Sequence, residues 1–240
     1  MNRNETELHS LESTLLEKTF SQEDSTLGRV DDDFPTIDGH SFVHIIQEGT
    51  KSGPDFKLLE LGGGISQRVA SEIVEAYSGI QYFGLDKRPV KNDVASKLYN
   101  YQNFHFVQGG ISELQKFFNT GEFSVIFAHN VGKHLPNPFY MLELAFPLLK
   151  MGGIFYTNHI PMYKEEWEKI SKFYQIQFPG TLFSRTDFPP VPLLKAGIVN
   201  VSFAFKKTIQ ELDIPITISD DFIKDIEGET YDTREIFYAF

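Results

Sequence analysis

The sequence predicts an α/β protein built on a doubly wound, mostly parallel, seven-stranded sheet with helices on both faces. Three observations predict it. From Phe56 onward, short apolar runs alternate with stretches of about 10–15 residues whose apolar positions recur at helical spacing. The first run, Phe56 to Leu61, ends in Gly62-Gly63-Gly64, as a buried parallel strand does when it turns sharply into a helix. A chain of 240 residues, 41% of them hydrophobic, can bury roughly 70–75% of its unfolded surface in one large domain.

The elements follow in order. Residues 1–35 read as an N-terminal helical and acidic appendage. Leu8, Leu11, Leu15 and Leu16 share one helical face, and Gln22 to Asp33 is a solvated polar linker ending in Asp31-Asp32-Asp33. Phe56 to Leu61 is the first strand, followed by a helix over Gln67 to Tyr77 with Val69, Ile73, Ala76 and Tyr77 on one face. Ile80 to Leu85 is a second strand, ended by Asp86, and Pro89 suits the first turn of the next helix. Phe104 to Val107 is a third strand, trailed by a short helix carrying Ile111, Leu114, Phe117 and Phe118. Ser124 to Ala128 is a fourth strand. Asn137-Pro138 opens the next helix and Met151-Gly152-Gly153 closes it. Ile154 to Thr157 makes a fifth strand, and Lys164 to Tyr174 a helix. Ile176 to Phe178 and Ile198 to Phe205 form a final strand pair around a Pro-rich insertion over 179–195. Residues 207–240 are an acidic C-terminal extension.

Composition excludes several chemistries. No cysteine is present, so disulfides, thiolate metal sites and cysteine nucleophiles are ruled out. Net charge is −11. Residues 1–40 hold ten acids against three bases, net −7, which leaves −4 on the other 200 residues. An acidic chain without a Lys/Arg cluster gains little from counterion release, so nucleic acid is not an expected partner. No apolar run approaches the roughly 18 residues of a membrane span, and no signal or transit pattern opens the chain; a cytoplasmic protein is expected. His40 and His44 are spaced i, i+4 but lack the glutamate of a zinc-protease helix, and no metal site is expected.

In a parallel sheet covered on both faces, ligands bind at the carboxyl ends of the strands near the switch in strand order. That directs attention to the loops at 62–66, 86–88, 108–111 and 129–135. Glycines at 62–64 let the backbone turn and approach a ligand, and the helix that follows offers free N–H groups. Asp86, 22 residues past Gly64, ends the second strand where an acid can accept hydrogen bonds from both hydroxyls of a ribose. Gly62-x-Gly64-x-x is followed by Gln67 where a nicotinamide dinucleotide fingerprint has its third glycine, and no P-loop is present.

Leu58-Leu59-Glu60-Leu61-Gly62-Gly63-Gly64-Ile65-Ser66 resembles the first motif of class I S-adenosylmethionine-dependent methyltransferases. Gly84-Leu85-Asp86 is similar to their ribose-binding strand end, and Phe106-Val107-Gln108-Gly109-Gly110-Ile111 to their adenine-binding loop. Phe123 to Ile126, His134 to Pro138 and Leu148 to Gly153 resemble the fourth strand, the following helix and the fifth-strand entry of the small-molecule branch. The resemblance spans 56–160 well and 161–206 weakly. It implies an S-adenosylmethionine-binding domain over 36–206. By it, Glu60 orients the glycine loop and the methionine amino group, and Gly62, Gly63 and Gly64 lie against methionine and ribose. Asp86 holds the ribose hydroxyls, Lys87 sits beside the adenine, and His129 and Asn130 flank the methionine and sulfonium.

Two departures stand out. Ser66 replaces the family's third glycine, and Gly110 replaces the aspartate that receives the adenine amino hydrogen, leaving recognition to the backbone of Gly109, Gly110 and Ile111. Methyl transfer is an in-line displacement in which positioning supplies much of the rate; a base is needed where the acceptor must lose a proton. His134, after strand four, and His159, past strand five, are the candidate bases, with Tyr156 and Tyr163 as weaker candidates for lining the acceptor pocket. The expected function is methyl transfer from S-adenosylmethionine to an oxygen, nitrogen or carbon of a small molecule. The alternatives are a non-catalytic binding module, favoured by Gly110 and Ser66, and an oxidoreductase, disfavoured by Gln67.

Overall fold

The computed structural model describes residues 26–65, 67–132, 138–163, 182–186 and 198–208, together with Glu168 and Lys172. Their strands are β1 (Lys57–Leu61), β2 (Gln81–Asp86), β3 (Phe104–Gln108), β4 (Phe123–Ala128), β5 (Leu149–Tyr163), β6 (Leu182–Thr186) and β7 (Ile198–Lys206). They form one sheet in the order β3-β2-β1-β4-β5-β7-β6. The first five pair in parallel, and β7 runs antiparallel to both β5 and β6. The order reverses between β1 and β4, which opens a crevice above the carboxyl ends of these two strands.

Alternation along the strands divides the core between the two faces. On one face Leu59, Leu61, Leu85, Ile126, Phe155 and Phe203 pack with Leu114 of the short α5 (Leu114–Phe117) and with Met141 and Leu142 of α6 (Pro138–Ala145). On the other, Leu58, Tyr82, Val125, Phe127 and Tyr156 pack against α1 (Thr26–Asp33), α2 (Phe42–Thr50) and α3 (Arg68–Ala76). Glu60 falls by register on this second face, opposite Gly84 of β2.

The sequence reads 22–33 as a solvated linker, and over 26–33 the structure corrects this. Thr26–Asp33 is a helix that buries Leu27 and Val30, and Phe34 follows it into the core. Its first amides are satisfied by a partner on α3: Thr26 N and Leu27 N donate to the two carboxylate oxygens of Glu72 at 3.0 and 2.9 Å. Asp31 accepts from Val43 N at 2.6 Å and ties α1 to α2. Phe34, Phe42, Phe127 and Tyr156 then form an aromatic cluster with ring centroids 5.0–6.4 Å apart. Three acids at the end of α1 made the segment look soluble; its two apolar positions, Leu27 and Val30, are three apart and fall on one face.

Other boundaries shift for local reasons. The helix expected from Pro89 is α4 (Asn92–Leu98), because Lys91 N is held by Ile65 O at 3.0 Å and delays the first turn. Met151-Gly152-Gly153 does not close a helix but lies inside β5, which starts at Leu149 and runs on through Tyr163 because β7 pairs along it to Ile198. The Pro-rich insertion contains β6, paired to β7 from Leu182↔Ala204 to Thr186↔Asn200. The expected helical face of Leu8, Leu11, Leu15 and Leu16, the strand at 176–178 and the extension from 209 lie outside the described residues, as does most of the 164–174 helix. Among the described residues no helix is long and apolar enough to cross a membrane, and no group of three His, Cys, Asp or Glu could hold a metal.

Candidate functional site

Three loops meet at the carboxyl edge of the sheet, and Asp86 joins them. Its side chain is 6% exposed. Oδ2 accepts the Gly64 amide hydrogen at 2.8 Å, and Oδ1 accepts from Arg88 N at 2.8 Å and from Arg88 Nε at 3.3 Å. Its backbone oxygen accepts from Gly109 N at 3.0 Å. One residue therefore anchors the loops after β1, β2 and β3. A carboxylate offers about four acceptor positions; three are engaged, so one remains for a ligand hydroxyl.

The glycine loop has its shape for steric reasons. Gly62 and Gly64 adopt φ of +72° and +69°. A Cβ on Gly62 would stand 2.7 Å from Val131 Cγ2, whereas one on Gly64 would meet only Arg88 Nη2, at 3.7 Å. The loop is thus packed tight toward β4 and open toward the crevice. Gly62 N donates to Leu85 O at 2.7 Å, which fixes the turn to β2.

Beneath the loop lies a buried polar group. Tyr82 Oη donates to Glu60 Oε2, and Glu60 lies directly under Gly63. Burial pushes the Glu60 carboxyl up to about 7; the Tyr82 hydrogen bond opposes the rise and the Asp86 carboxylate adds to it. Gln67, fully buried at φ +42°, donates from Nε2 to Gly64 O at 2.7 Å. Its Oε1 has no hydrogen-bond partner and fills the space above Gly84, 2.8 Å from where a Cβ there would stand. The position at which a dinucleotide fingerprint needs a bare glycine is therefore filled by a side chain that locks the loop.

After β3, Gly109 is bare because the Phe117 ring occupies the place of its side chain. Gly110 N donates to Glu113 Oε2 at 3.1 Å and Gly110 O accepts from Glu113 N at 2.9 Å. This backbone donor holds the Glu113 carboxyl below its usual range, helped by Lys116. Two of the three amides expected to read a base are thus donated within the protein. Ile111 begins a 3₁₀ turn (Ile111–Glu113) and leans on the core. Lys87 is exposed at the tip of its loop.

After β4, His129 Nε2 lies 2.8 Å from Asp33 Oδ2, and Asn158 Nδ2 donates to the same oxygen at 3.2 Å. Asn158 is fully buried, and its Oδ1 accepts from Asn130 N at 2.7 Å, with Asn130 at φ +61°. Elements distant in sequence, α1, the β4 loop and β5, are joined here by polar side chains.

Glu60, Gly62, Gly63, Gly64, Asp86, Gly109, Gly110, Ile111, His129 and Asn130 all lie along this one edge. His134 and Ser66 lie outside the described residues, and His159 is a residue of β5 whose side chain also lies outside them. Tyr156 does not line a pocket. It is fully buried in the aromatic cluster, its hydroxyl lacks a hydrogen-bond partner, and burial raises its pKa far above the usual phenol range. Asp33, Tyr82, Arg88, Val131 and Asn158 were missed, and Gln67 was read only as a departure from the dinucleotide fingerprint. Tyr82, Gly84 and Asp86 share one face by the two-residue period, which was a usable signal for Tyr82. Nothing local marks Asp33 or Asn158.

A family profile described as a methyltransferase domain matches residues 53–191. No curated protein sequence matches the chain significantly. Among solved structures, the chain is similar to the CurJ carbon methyltransferase, with a TM-score of 0.51 and 16% identity over 81% of this chain and 59% of that one. It is also similar to the trans-methyltransferase CalH complexed with SAH, with a TM-score of 0.48 and 17% identity over 70% of this chain and 56% of that one. A third is CrArsM, an arsenic(III) S-adenosylmethionine methyltransferase from Chlamydomonas reinhardtii, with a TM-score of 0.48 and 16% identity over 70% of this chain and 66% of that one. The chain thus spans a little over half the length of CalH and CurJ.

Proposed function

The chain belongs to the methyltransferase-domain family, and from that premise we propose that it transfers a methyl group from S-adenosylmethionine to an oxygen, nitrogen or carbon of a small molecule. The observation that carries this reading is the Gly64–Asp86 hydrogen bond, 2.8 Å long. It sets a glycine turn, open on its ligand side, beside a carboxylate with one acceptor position to spare. A ribose hydroxyl fits that position, and the bare backbone of Gly62 to Gly64 fits the neighbouring methionine portion. S-adenosylmethionine supplies an electrophilic methyl carbon on a sulfonium.

The chain's own residues hold and orient. Asp86 takes a ribose hydroxyl, and a second when Arg88 Nε, on a largely exposed side chain, gives up its 3.3 Å contact. Glu60 supports the loop from below. The Ile111 amide and the Gly110 carbonyl face the adenine, with Lys87 alongside. His129 and Asn130 stand by the methionine end.

Thermal melting tests the reading. A ligand at about 100 times its Kd stabilises the fold by roughly 2.7 kcal/mol. S-adenosylmethionine and S-adenosylhomocysteine are expected to raise Tm, and NAD and NADP to leave it unchanged. A larger shift with either dinucleotide would remove the methyltransferase assignment.

A further inference from the structure

We propose that Gln67 is a positioning residue of the cofactor site: its amide grips the Gly64 carbonyl and sets the glycine turn in the shape that receives the methionine portion of S-adenosylmethionine. The inference rests on the methyl-transfer reading above and adds the residue that holds the ligand-facing backbone in place.

Gly64 is held from both sides. Its N–H donates to Asp86 Oδ2 at 2.8 Å, and its carbonyl accepts from Gln67 Nε2 at 2.7 Å. A glycine at φ +69° has little preference of its own for one conformation, so the two opposed hydrogen bonds fix what the residue leaves open. One comes from the acid assigned to the ribose. The other comes from a side chain that is fully buried and out of a ligand's reach.

The orientation of the amide follows from its neighbours. Gly64 O is an acceptor, so the atom 2.7 Å from it is the NH2 group. That leaves Oε1 over Gly84 with no hydrogen-bond partner. A buried carbonyl oxygen without a partner is unfavourable, and an apolar side chain of the same length would fill the space without that penalty. What the amide adds is the donor to Gly64.

The backbone aims it there. Gln67 sits at φ +42°, just ahead of α3, and its carbonyl accepts from Ser71 N at 3.0 Å and Ser71 Oγ at 3.1 Å. The first turn of α3 anchors the main chain, and the left-handed conformation turns the side chain back beneath the loop. There Nε2 and Glu60 Oε2 flank the place where a Cβ on Gly63 would stand. The turn is thus supported along its underside from Gly63 to Gly64.

Two variants of the full chain separate this role from a general loss of packing. Gln67→Met keeps the length of the side chain and removes the donor. Gly84→Ala keeps Gln67 and places a Cβ 2.8 Å from its Oε1, which pushes the amide off Gly64. Hydrogen exchange on the unliganded chain is expected to rise over 62–64 in both and to stay unchanged in β4. By calorimetry, both are expected to bind S-adenosylhomocysteine about tenfold more weakly, while affinity for adenosine, which lacks the methionine portion, stays within about twofold of wild type. Combined, they are expected to lose no more than Gln67→Met alone.

Exchange over 62–64 that stays at the wild-type rate in either folded variant would overturn the grip. So would equal losses for adenosine and S-adenosylhomocysteine, which mark a damaged site rather than a displaced turn, or additive losses in the combined variant. If one variant fails to fold, the other decides by the same two readouts. Failure of the wild-type chain to bind S-adenosylhomocysteine is a separate result: it overturns the methyl-transfer reading, and the exchange comparison then decides the grip.

Discussion

Asp86 Oδ2 accepts the amide hydrogen of Gly64 across 22 residues of sequence, at 2.8 Å. The bond joins the end of β2 to the turn after β1. It makes the acid that ends the second strand a structural anchor as well as the proposed ribose contact.

The first prediction follows from that double role. Asp86 is only 6% exposed, and Asp86→Ala leaves the Gly64 and Arg88 amides without their acceptor. Hydrogen bonds to a charged group contribute about 1.5–3 kcal/mol each. Asp86→Ala is expected to lower Tm clearly and to weaken S-adenosylhomocysteine binding by on the order of a hundredfold or more. Asp86→Asn retains one acceptor oxygen where two are in use, so its loss falls between wild type and alanine. Denaturant melts and titration calorimetry on the two variants measure both effects.

A second prediction concerns Gly62 and Val131. Gly62→Ala places a Cβ 2.7 Å from Val131 Cγ2 at φ +72°. The clash and the left-handed backbone together are expected to cost about 2–4 kcal/mol. Adding Val131→Ala removes the clash and leaves the backbone strain, so the double variant recovers part of the loss. A double-mutant cycle with no coupling between 62 and 131 would contradict the packing described.

Glu60 makes a third. Its carboxyl is raised from 4.5 to about 7 in the folded protein, so between these values the native state holds more protons than the unfolded chain. Its favourable contribution is complete below about pH 4.5 and fades as pH rises through about 7. The change amounts to about 3.4 kcal/mol at most, at 1.36 kcal/mol per pH unit. Glu60→Gln still accepts from Tyr82 and carries no charge, so its stability between pH 5 and 8 is expected to be flatter and, above pH 7, higher than wild type. Urea unfolding across that range reads the difference.

The docking of α1 yields a fourth. Glu72 accepts from Thr26 N and Leu27 N, two amides that a helix N-terminus otherwise leaves unpaired. Glu72→Ala is expected to cost about 1–2 kcal/mol. Hydrogen exchange should rise over residues 26–33 and remain unchanged in β1 and β4. Uniform loss of protection across the sheet would mean that α1 is not a separable unit.

How much of the site was legible depends on how its residues are spaced. Glu60, Gly62, Gly64 and Asp86 could be read because a strand end and the loop after it are contiguous, and a β–α–β unit brings two such ends together by topology alone. Gln67 was legible only as a missing glycine. That its side chain fills the space over Gly84 depends on how α3 lies on β2. Tyr156 was misread because its position along β5 gives its face but not its depth, and Phe34 and Phe42 close over it from segments that the strand pattern does not include.

The sequence by itself determined the parallel sheet, the glycine turn and the acid beside it, since each follows from periodicity or from backbone needs that only certain residues meet. Tertiary structure alone decided that Asp33 meets His129 and Asn158. Those residues lie 96 and 125 positions from Asp33, and a polar contact over such a distance leaves no periodic trace in the chain. It forms because burial of Leu27, Val30 and Phe34 carries the end of α1 onto the edge of β4 and β5, where its carboxylate meets an imidazole and an amide.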